Sequence, residues 1–170
     1  MPKPINVFMD NCVFGHSILN SDELSNEHEW LKNEIYAIRD IIELKKACTI
    51  NIEYDLNVMI EMHQSGKDRD IKKLWGDVKP SPTFVNFQGV MINPEELKET
   101  TEWLEKRLHY LEEILEDNSI DITHLVQAEA YGSKYFVTTD RKLIKKICVK
   151  DKNILKVKVL SPSELLREIK

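Results

Sequence analysis

Two aspartates directly follow short apolar segments of this 170-residue chain: Asp10 comes after INVFM, and Asp140 after YFVTT. A third aspartate, Asp121, opens the segment DITHLVQAEAYG. Carboxylates that gather at one place repel each other, by roughly 4 kcal/mol for unit charges about 4 Å apart at an effective dielectric near 20. A divalent cation offsets this repulsion, and all-oxygen ligands suit Mg²⁺ or Mn²⁺ rather than zinc. Such ions activate water and stabilise the leaving oxygen of a phosphodiester.

A fourth carboxylate is expected from TINIEYDLNVMIEM, in which Thr49 is a predicted N-cap of a helix that runs to about Met62. This segment contains Glu53 and Asp55. Two positions on a helix are separated by about 200°, so at most one of the two carboxylates faces inward. Periodicity alone leaves both residues open.

The elements that position these carboxylates alternate between strands and helices. Predicted strands cover INVFM, ACTI, YFVTT and LKVKVL, and predicted helices cover 26–46, 49–62, 93–116, 121–131, RKLIKKI and SPSELLREI. Alternating strands and helices predict an α/β fold with a central, mostly parallel sheet flanked by helices. Ligands of such sheets bind beyond the carboxyl ends of the strands, so Asp10, Asp121 and Asp140 are expected at one edge.

Composition indicates one domain that spans residues 1–170, with an irregular excursion at about 63–93 that contains a short predicted helix. The chain is 42% hydrophobic, and its apolar runs are far shorter than the ~20 residues of a membrane span. The N-terminus MPKPINVFMDN does not resemble a signal peptide. Three scattered cysteines without CxxC spacing are typical of reduced thiols, so we expect a cytoplasmic protein.

Charge is distributed unevenly along the chain. The formal net charge is −5, but residues 134–170 carry 11 basic and 4 acidic side chains. This uneven distribution fits either a solvated helix face with a lysine-bearing edge strand or a local surface that attracts phosphate. The basic residues nearest Asp140 are candidate phosphate contacts: Arg141, Lys142, Lys145 and Lys146.

At both ends of the chain the sequence resembles the PIN-domain family of metal-dependent ribonucleases, including toxins of the VapC type. NVFMDNCVF resembles the first strand of that family and its leading aspartate, and ACTINIEYDL resembles the segment with its helical acid. The closest resemblance is DITHLVQAEAYGSKYFVTTDRKLIKK, and LKVKVLSPSELL resembles the closing strand and helix.

The resemblance implies a PIN-like three-layer sandwich and a Mg²⁺- or Mn²⁺-dependent endoribonuclease. Its metal-site carboxylates would be Asp10, Asp55, Asp121 and Asp140. Asp55 is chosen over Glu53 because Thr49 and the pair Asp55-Leu56 fit the register of the family. The implied partners are an RNA substrate and, for a toxin, an antitoxin protein that blocks the site; a homodimer is also compatible, and no membrane partner is expected.

Two positions depart from the family pattern. An aspartate replaces the usual glutamate at Asp55, and Asn11-Cys12 stands where the family often has threonine and asparagine, so an anchor of the metal-site loop is expected to be lost. These departures keep open a catalytically silent scaffold that binds RNA or protein. A phosphotransferase or phosphatase with Asp10 as nucleophile is disfavoured. The common haloacid-dehalogenase pattern has a second aspartate two residues later, where this chain has Cys12.

Several polar and aromatic residues have structural interpretations. Thr138 and Thr139 are expected at a strand end and helix cap, and His124 as a packed or surface histidine rather than a proton shuttle. Glu129 lies about two turns beyond Asp121 and is expected to be too distant for the same ion. Three tryptophans are interpreted as core or dimer-interface residues rather than platforms for bases: Trp30, Trp75 and Trp103. Trp75, in its predicted loop, stays open as a platform.

Overall fold

A computed structural model describes residues 3–76, 78, 94–117, 119–150 and 154–169. Its strands are β1 (Ile5–Met9), β2 (Ile50–Glu53), β3 (Tyr135–Val137) and β4 (Lys158–Leu160). Its helices are α1 (Asn11–Ser17), α2 (Ser21–Ser25), α3 (Glu29–Lys46), α4 (Leu56–Gln64), α5 (Asp68–Trp75), α6 (Pro94–Leu115), α7 (Ile120–Ala130), α8 (Arg141–Val149) and α9 (Pro162–Ile169). The described chain is therefore an α/β protein, as predicted.

The four described strands form one parallel sheet in the order β2-β1-β3-β4. In the register between the central strands, Met9 lies beside Val137. The amide of Asp10, the residue after β1, donates to the Val137 carbonyl over 3.0 Å. The chain after β1 and the chain after β3 therefore leave the sheet side by side, which places Asp10 next to Thr138.

The sheet separates two hydrophobic cores. Alternate residues of a strand face opposite sides of a sheet, so Val7 and Met9 enter one core while Phe8 enters the other. The first core is completed by α1, α3, α4, α5 and α9, and the second by α6, α7 and α8. This arrangement, with helices on both faces of a parallel sheet, is compatible with a three-layer sandwich.

The prediction for the segment around Glu53 is wrong. Strand β2 covers 50–53 rather than 47–50, and α4 begins after Asp55 rather than after Thr49. Ile50 and Ile52 are buried while Asn51 is exposed, which is the two-residue period of a strand. Pairing with β1 stabilises that extended segment, so Glu53 ends a strand and Asp55 caps a helix.

Other predictions agree with the structure more closely. Helices α3, α6, α7, α8 and α9 lie where the sequence places them, and α5 is the short helix expected within GKDRDIKKLWGD. Gly132 follows α7 with a φ of 69°, the left-handed conformation that glycine adopts most readily. Strand β4 is shorter than LKVKVL, helices α1 and α2 were not predicted, and residues 79–93 of the expected excursion lie outside the described residues.

Among the helices that the structure describes, none is both long and apolar enough to cross a membrane.

Candidate functional site

Asp10 lies at the end of β1 and caps α1. Its Oδ1 accepts a hydrogen bond from the backbone amide of Asn11 over 2.7 Å. Its Oδ2 accepts from the Cys12 thiol over 2.9 Å and from the Thr138 hydroxyl over 2.7 Å. Asp10 is 6% exposed, so these donors stabilise a carboxylate that burial would otherwise disfavour.

The buried hydroxyl of Thr138 links Asp10 to Asp140. It donates to Asp10 Oδ2 and accepts a hydrogen bond from the Asp140 amide over 3.0 Å. Asp140 in turn caps α8, and its Oδ1 accepts from the amides of Lys142 and Leu143. The Asp140 Oδ2 atom has no hydrogen bond within the described residues, so it remains open to another ligand.

Asp121 is a half-buried carboxylate with no hydrogen bond or ion pair to the described part of the chain. It lies in the first turn of α7, where the helix dipole favours a negative charge. Burial nevertheless raises the pKa of Asp121, and the negative charges of Asp10 and Asp140 raise it further. The charges of Asp10 and Asp140 thus act on Asp121, and the nearby His124 offsets part of their repulsion.

The carboxylates do not form a ready-made cage. Within the described residues, no group of three or more His, Cys, Asp or Glu side chains has an arrangement that could hold a metal ion. Mg²⁺ commonly keeps several waters and binds proteins through one or two carboxylates together with substrate phosphates. The side chains of Asp10, Asp121 and Asp140 offer only oxygen atoms, the donor type that Mg²⁺ and Mn²⁺ prefer.

Asp55 has a different environment. Its Oδ1 accepts from the Val58 amide over 2.8 Å, and its Oδ2 lies 2.8 Å from His124 Nδ1. The exposed fraction of both Asp55 and His124 is 1%, so this ion pair is almost fully buried. Burial tends to lower the pKa of His124, but the hydrogen bond and charge of Asp55 outweigh it and raise the pKa overall. Of the packed and surface positions predicted for His124, the structure has the packed one, and its partner is a carboxylate that was predicted as a metal ligand.

Glu53 is also engaged, at the other end of α7. Its Oε2 accepts a hydrogen bond from the Ser133 hydroxyl over 2.6 Å. Burial raises the pKa of Glu53, and the Ser133 hydrogen bond partly offsets that shift. Glu53 and Asp55 are not among the charges that shift the pKa of Asp121, whereas both Asp55 and Asp10 act on the pKa of His124.

The expected loss of the loop anchor at Asn11-Cys12 does not describe this protein. The Cys12 sulfur lies 2.9 Å from Asp10 Oδ2 and 3.2 Å from the Thr138 hydroxyl, and it accepts from the Thr139 amide. Burial and the nearby charge of Asp10 raise the pKa of the Cys12 thiol to about 12. Cys12 therefore stays protonated at neutral pH and anchors the loop as a donor.

Sequence reasoning missed the role of Cys12 and that of His16, whose Nδ1 lies 2.8 Å from the Thr139 hydroxyl. Both residues belong to α1, which was not predicted. The signal was present, because aspartate is a favoured N-cap and Val13, Phe14 and Ser17 follow at helical spacing on one buried face.

Glu129 is excluded from the carboxylate group by its own partner, Arg107. Arg107 Nε and Nη2 donate to the two Glu129 oxygens over 2.7 and 2.8 Å. The Lys156 amide adds a third hydrogen bond over 2.6 Å. Glu129 thus ties α7 to α6 and to the segment before β4, in agreement with the expectation that it binds no ion with Asp121.

No protein-family model matches this chain, and comparison with curated proteins and with solved structures gives no match. The resemblance stated from the sequence therefore remains a prediction that rests on the residues themselves.

Proposed function

We propose that this chain is a PIN-like, metal-dependent endoribonuclease that hydrolyses phosphodiester bonds of RNA. The observation that carries the proposal is the carboxylate of Asp121, which has no hydrogen bond or ion pair in the described chain and is repelled by Asp10 and Asp140. His124 offsets part of this repulsion, and a divalent cation would offset the rest.

Asp10, Asp121 and Asp140 would hold Mg²⁺ or Mn²⁺ at the carboxyl ends of β1 and β3. When bound, such an ion supplies activation of water and stabilisation of the leaving oxygen. The Asn11 amide, Cys12 and Thr138 fix the orientation of Asp10. The Lys142 and Leu143 amides of α8 orient Asp140 through its Oδ1, and its Oδ2 would be free to bind the ion.

Asp55 is assigned a positioning role in this proposal, because Val58 and His124 already engage its two oxygens. The pair with His124 lies one helical turn from Asp121 on α7. By joining α4 to α7, it holds the helix on which Asp121 is placed. A toxin role, with an antitoxin that covers this edge of the sheet, belongs to the same proposal.

The direct test is cleavage of a labelled RNA pool by purified protein in Mg²⁺, Mn²⁺ or EDTA. We expect cleavage only with metal, and its loss in Asp10→Asn and in Asp121→Asn. Asp40→Asn is the matched control, because Asp40 is an exposed carboxylate on α3. Cleavage that persists in the two site variants would contradict the proposal.

Metal binding has a second test that needs no activity. Because the folded protein raises the pKa of Asp121, its charged form opposes folding at neutral pH. Asp121→Asn is therefore expected to raise the Tm in EDTA, whereas added Mn²⁺ is expected to raise the Tm of the wild type more than that of the variant. Equal Mn²⁺ shifts in the two proteins would argue against Asp121 as a ligand.

A catalytically silent scaffold is the second candidate, and the lack of a ready-made metal cage in the described residues favours it. A scaffold binds its RNA or protein partner without metal and is unaffected by Asp10→Asn. A nuclease loses turnover on the same substitution, so comparing RNA binding with RNA cleavage in this one variant separates the two candidates.

A further inference from the structure

A small cavity lies between α3, α8 and α9. It has a volume of about 230 Å³. One wall is Arg141, the residue after Asp140, and another is Ser161, the residue after β4. The cavity thus lies at the same edge of the sheet as Asp10 and Asp140, displaced towards β4.

Three cationic side chains surround the opening of the cavity: Arg141, Lys145 and Arg167. All three are exposed, and none forms an ion pair within the described residues. Other basic residues nearby differ in this respect. Lys146, on the same helix as Lys145, is bound to Asp117 over 2.6 Å, and Lys158 is bound to Glu168 over 2.6 Å.

Two carboxylates also line the cavity, and both are engaged by the first turn of α9. Glu34 is buried and accepts hydrogen bonds from the Ser163 amide and hydroxyl over 2.8 Å each, and from the Ser161 hydroxyl over 3.2 Å. Glu164 accepts from the Ser161 amide over 2.8 Å. Hydrogen bonds from neutral donors spread the charge of these acids, while the cations remain at the solvent side.

An aromatic ring completes the opening. The guanidinium carbon of Arg141 lies 4.9 Å from the centre of the Trp30 ring, and Trp30 is only half-buried. Unpaired bases of single-stranded RNA stack on aromatic rings and on guanidinium planes. The Trp30–Arg141 pair therefore offers a stacking surface with a positive charge for the adjoining phosphate.

The size of the cavity limits its ligand. Self-contained small-molecule sites usually have volumes of about 300–1,000 Å³. A smaller, open cavity with cations at its edge is suited to one unit of a longer anionic chain, which the neighbouring surface holds elsewhere.

We propose that the Trp30–Arg141 cavity binds one nucleotide of single-stranded RNA, next to the phosphodiester at Asp10, Asp121 and Asp140. The base stacks on Trp30 and Arg141, and Lys145 and Arg167 contact the phosphates beside it. This inference rests on the proposed function for the identity of the polymer, and it extends that function by giving the substrate a position and a strandedness.

The test is fluorescence anisotropy of a short, labelled, single-stranded oligoribonucleotide with the full chain in EDTA. Under these conditions binding is measured without cleavage. We expect Arg141→Ala to weaken binding about 5- to 150-fold, the range that corresponds to the loss of one stacked base. We also expect Arg167→Ala to reduce the slope of log K against log salt concentration by about 0.7, because one phosphate contact is lost.

Arg39→Ala is the matched control. Arg39 is also an exposed arginine over an aromatic ring of α3, at 5.5 Å from the centre of the Tyr36 ring, but it does not line the cavity. Trp30→Phe keeps a stacking ring and is expected to retain most of the affinity, whereas Trp30→Leu is expected to lose it. Circular dichroism of each variant establishes that the fold is intact.

Three results would overturn the inference: equal losses in Arg141→Ala and Arg39→Ala, unchanged affinity in Arg141→Ala, or no binding of the oligonucleotide by the wild type. The outcome is separate from that of the proposed nuclease activity. Cleavage that requires Asp10 but is insensitive to Arg141 would remove the cavity from the mechanism and leave the nuclease in place.

Discussion

At the scale of single residues, Cys12 shows how a side chain outside the expected set can complete a site. Its thiol contacts Asp10 and Thr138, and it accepts the amide hydrogen of Thr139. Because Asp10 follows β1 and Thr138 and Thr139 follow β3, one half-buried thiol joins the ends of the two central strands.

The chemistry of the three cysteines is expected to differ sharply. Thiolates react with alkylating reagents and thiols do not, and the pKa of Cys12 is raised to about 12. Iodoacetamide at neutral pH should therefore modify the exposed Cys48 and Cys148 and leave Cys12 unmodified in the folded protein. Peptide mass spectrometry reads out each site, and unfolding in urea is the control that makes Cys12 reactive. Rapid labelling of Cys12 in the folded chain would contradict the buried arrangement.

The buried pair of Asp55 and His124 is expected to stabilise the fold in a pH-dependent manner. Replacing one partner leaves the other charge buried and unpaired, so His124→Leu should lower the free energy of unfolding by about 3–5 kcal/mol. The pKa of His124 is raised in the folded state, so this contribution is complete below the unfolded value of about 6.5 and is lost as the pH rises through the folded value.

Urea unfolding of the wild type and His124→Leu across that pH range measures the effect, and the difference between them should shrink towards alkaline pH. His63→Leu is the matched control, because His63 lies 3.5 Å from Asp68 in a largely exposed pair. A difference that grows with pH would show that His124 is not stabilised as a cation.

At the scale of elements, α7 has attachments that set its position along its whole length. The His124 contact joins it to α4, the Glu129 contact joins it to α6, and the Ser133 contact joins its end to β2. Asp121 lies in the first turn, so its distance from Asp10 and Asp140 depends on these three attachments rather than on any contact of its own in the described chain.

Arg107→Lys tests the attachment between α6 and α7. Arginine makes a two-pronged contact with Glu129, which a lysine ammonium does not reproduce. Losing one hydrogen bond to a buried charge should lower the free energy of unfolding by about 1.5–3 kcal/mol. Arg39→Lys, at an exposed position of α3, is expected to change stability little, and chemical denaturation compares the two. Equal losses of stability in Arg107→Lys and Arg39→Lys would mean that the contact between Arg107 and Glu129 contributes no more than an exposed arginine does.

At the scale of the whole molecule, the order β2-β1-β3-β4 places the most buried strands in the centre. Val7, Phe8, Met9 and all of β3 are almost fully buried, whereas Lys158 on the edge strand β4 is exposed. The amides of central strands open only when much of the protein unfolds, because both neighbouring strands and both cores must separate.

Hydrogen–deuterium exchange should therefore be slowest in β1 and β3, with β4 and the short exposed helix α2 exchanging earlier. Mass spectrometry of peptides from these segments, or NMR of individual amides, gives the measurement. Exchange in β4 as slow as that in β1 would indicate that the edge strand is covered in solution.

Local signals in the sequence were sufficient to predict most of the described helices and the parallel orientation of the strands. The Ser161-Pro162 start of α9 and the Gly132 end of α7 depend on backbone preferences of the residues themselves, so they are readable without a fold. The aspartates after INVFM and YFVTT were also assigned to one edge from the sequence, because parallel strands end at the same side of a sheet.

Only the tertiary structure decided which partners each carboxylate contacts. Asp55 and His124 are 69 positions apart, and Asp10 and Thr138 are 128 positions apart, so neither contact has a local sequence signal. The extent of β2 was likewise decided by its pairing with β1, which outweighed the helical pattern around Thr49. Residue types and spacing therefore predicted that acids lie at one edge, whereas long-range packing determined that the charges of Asp10 and Asp140 act on Asp121 while Asp55 is bound to a buried histidine.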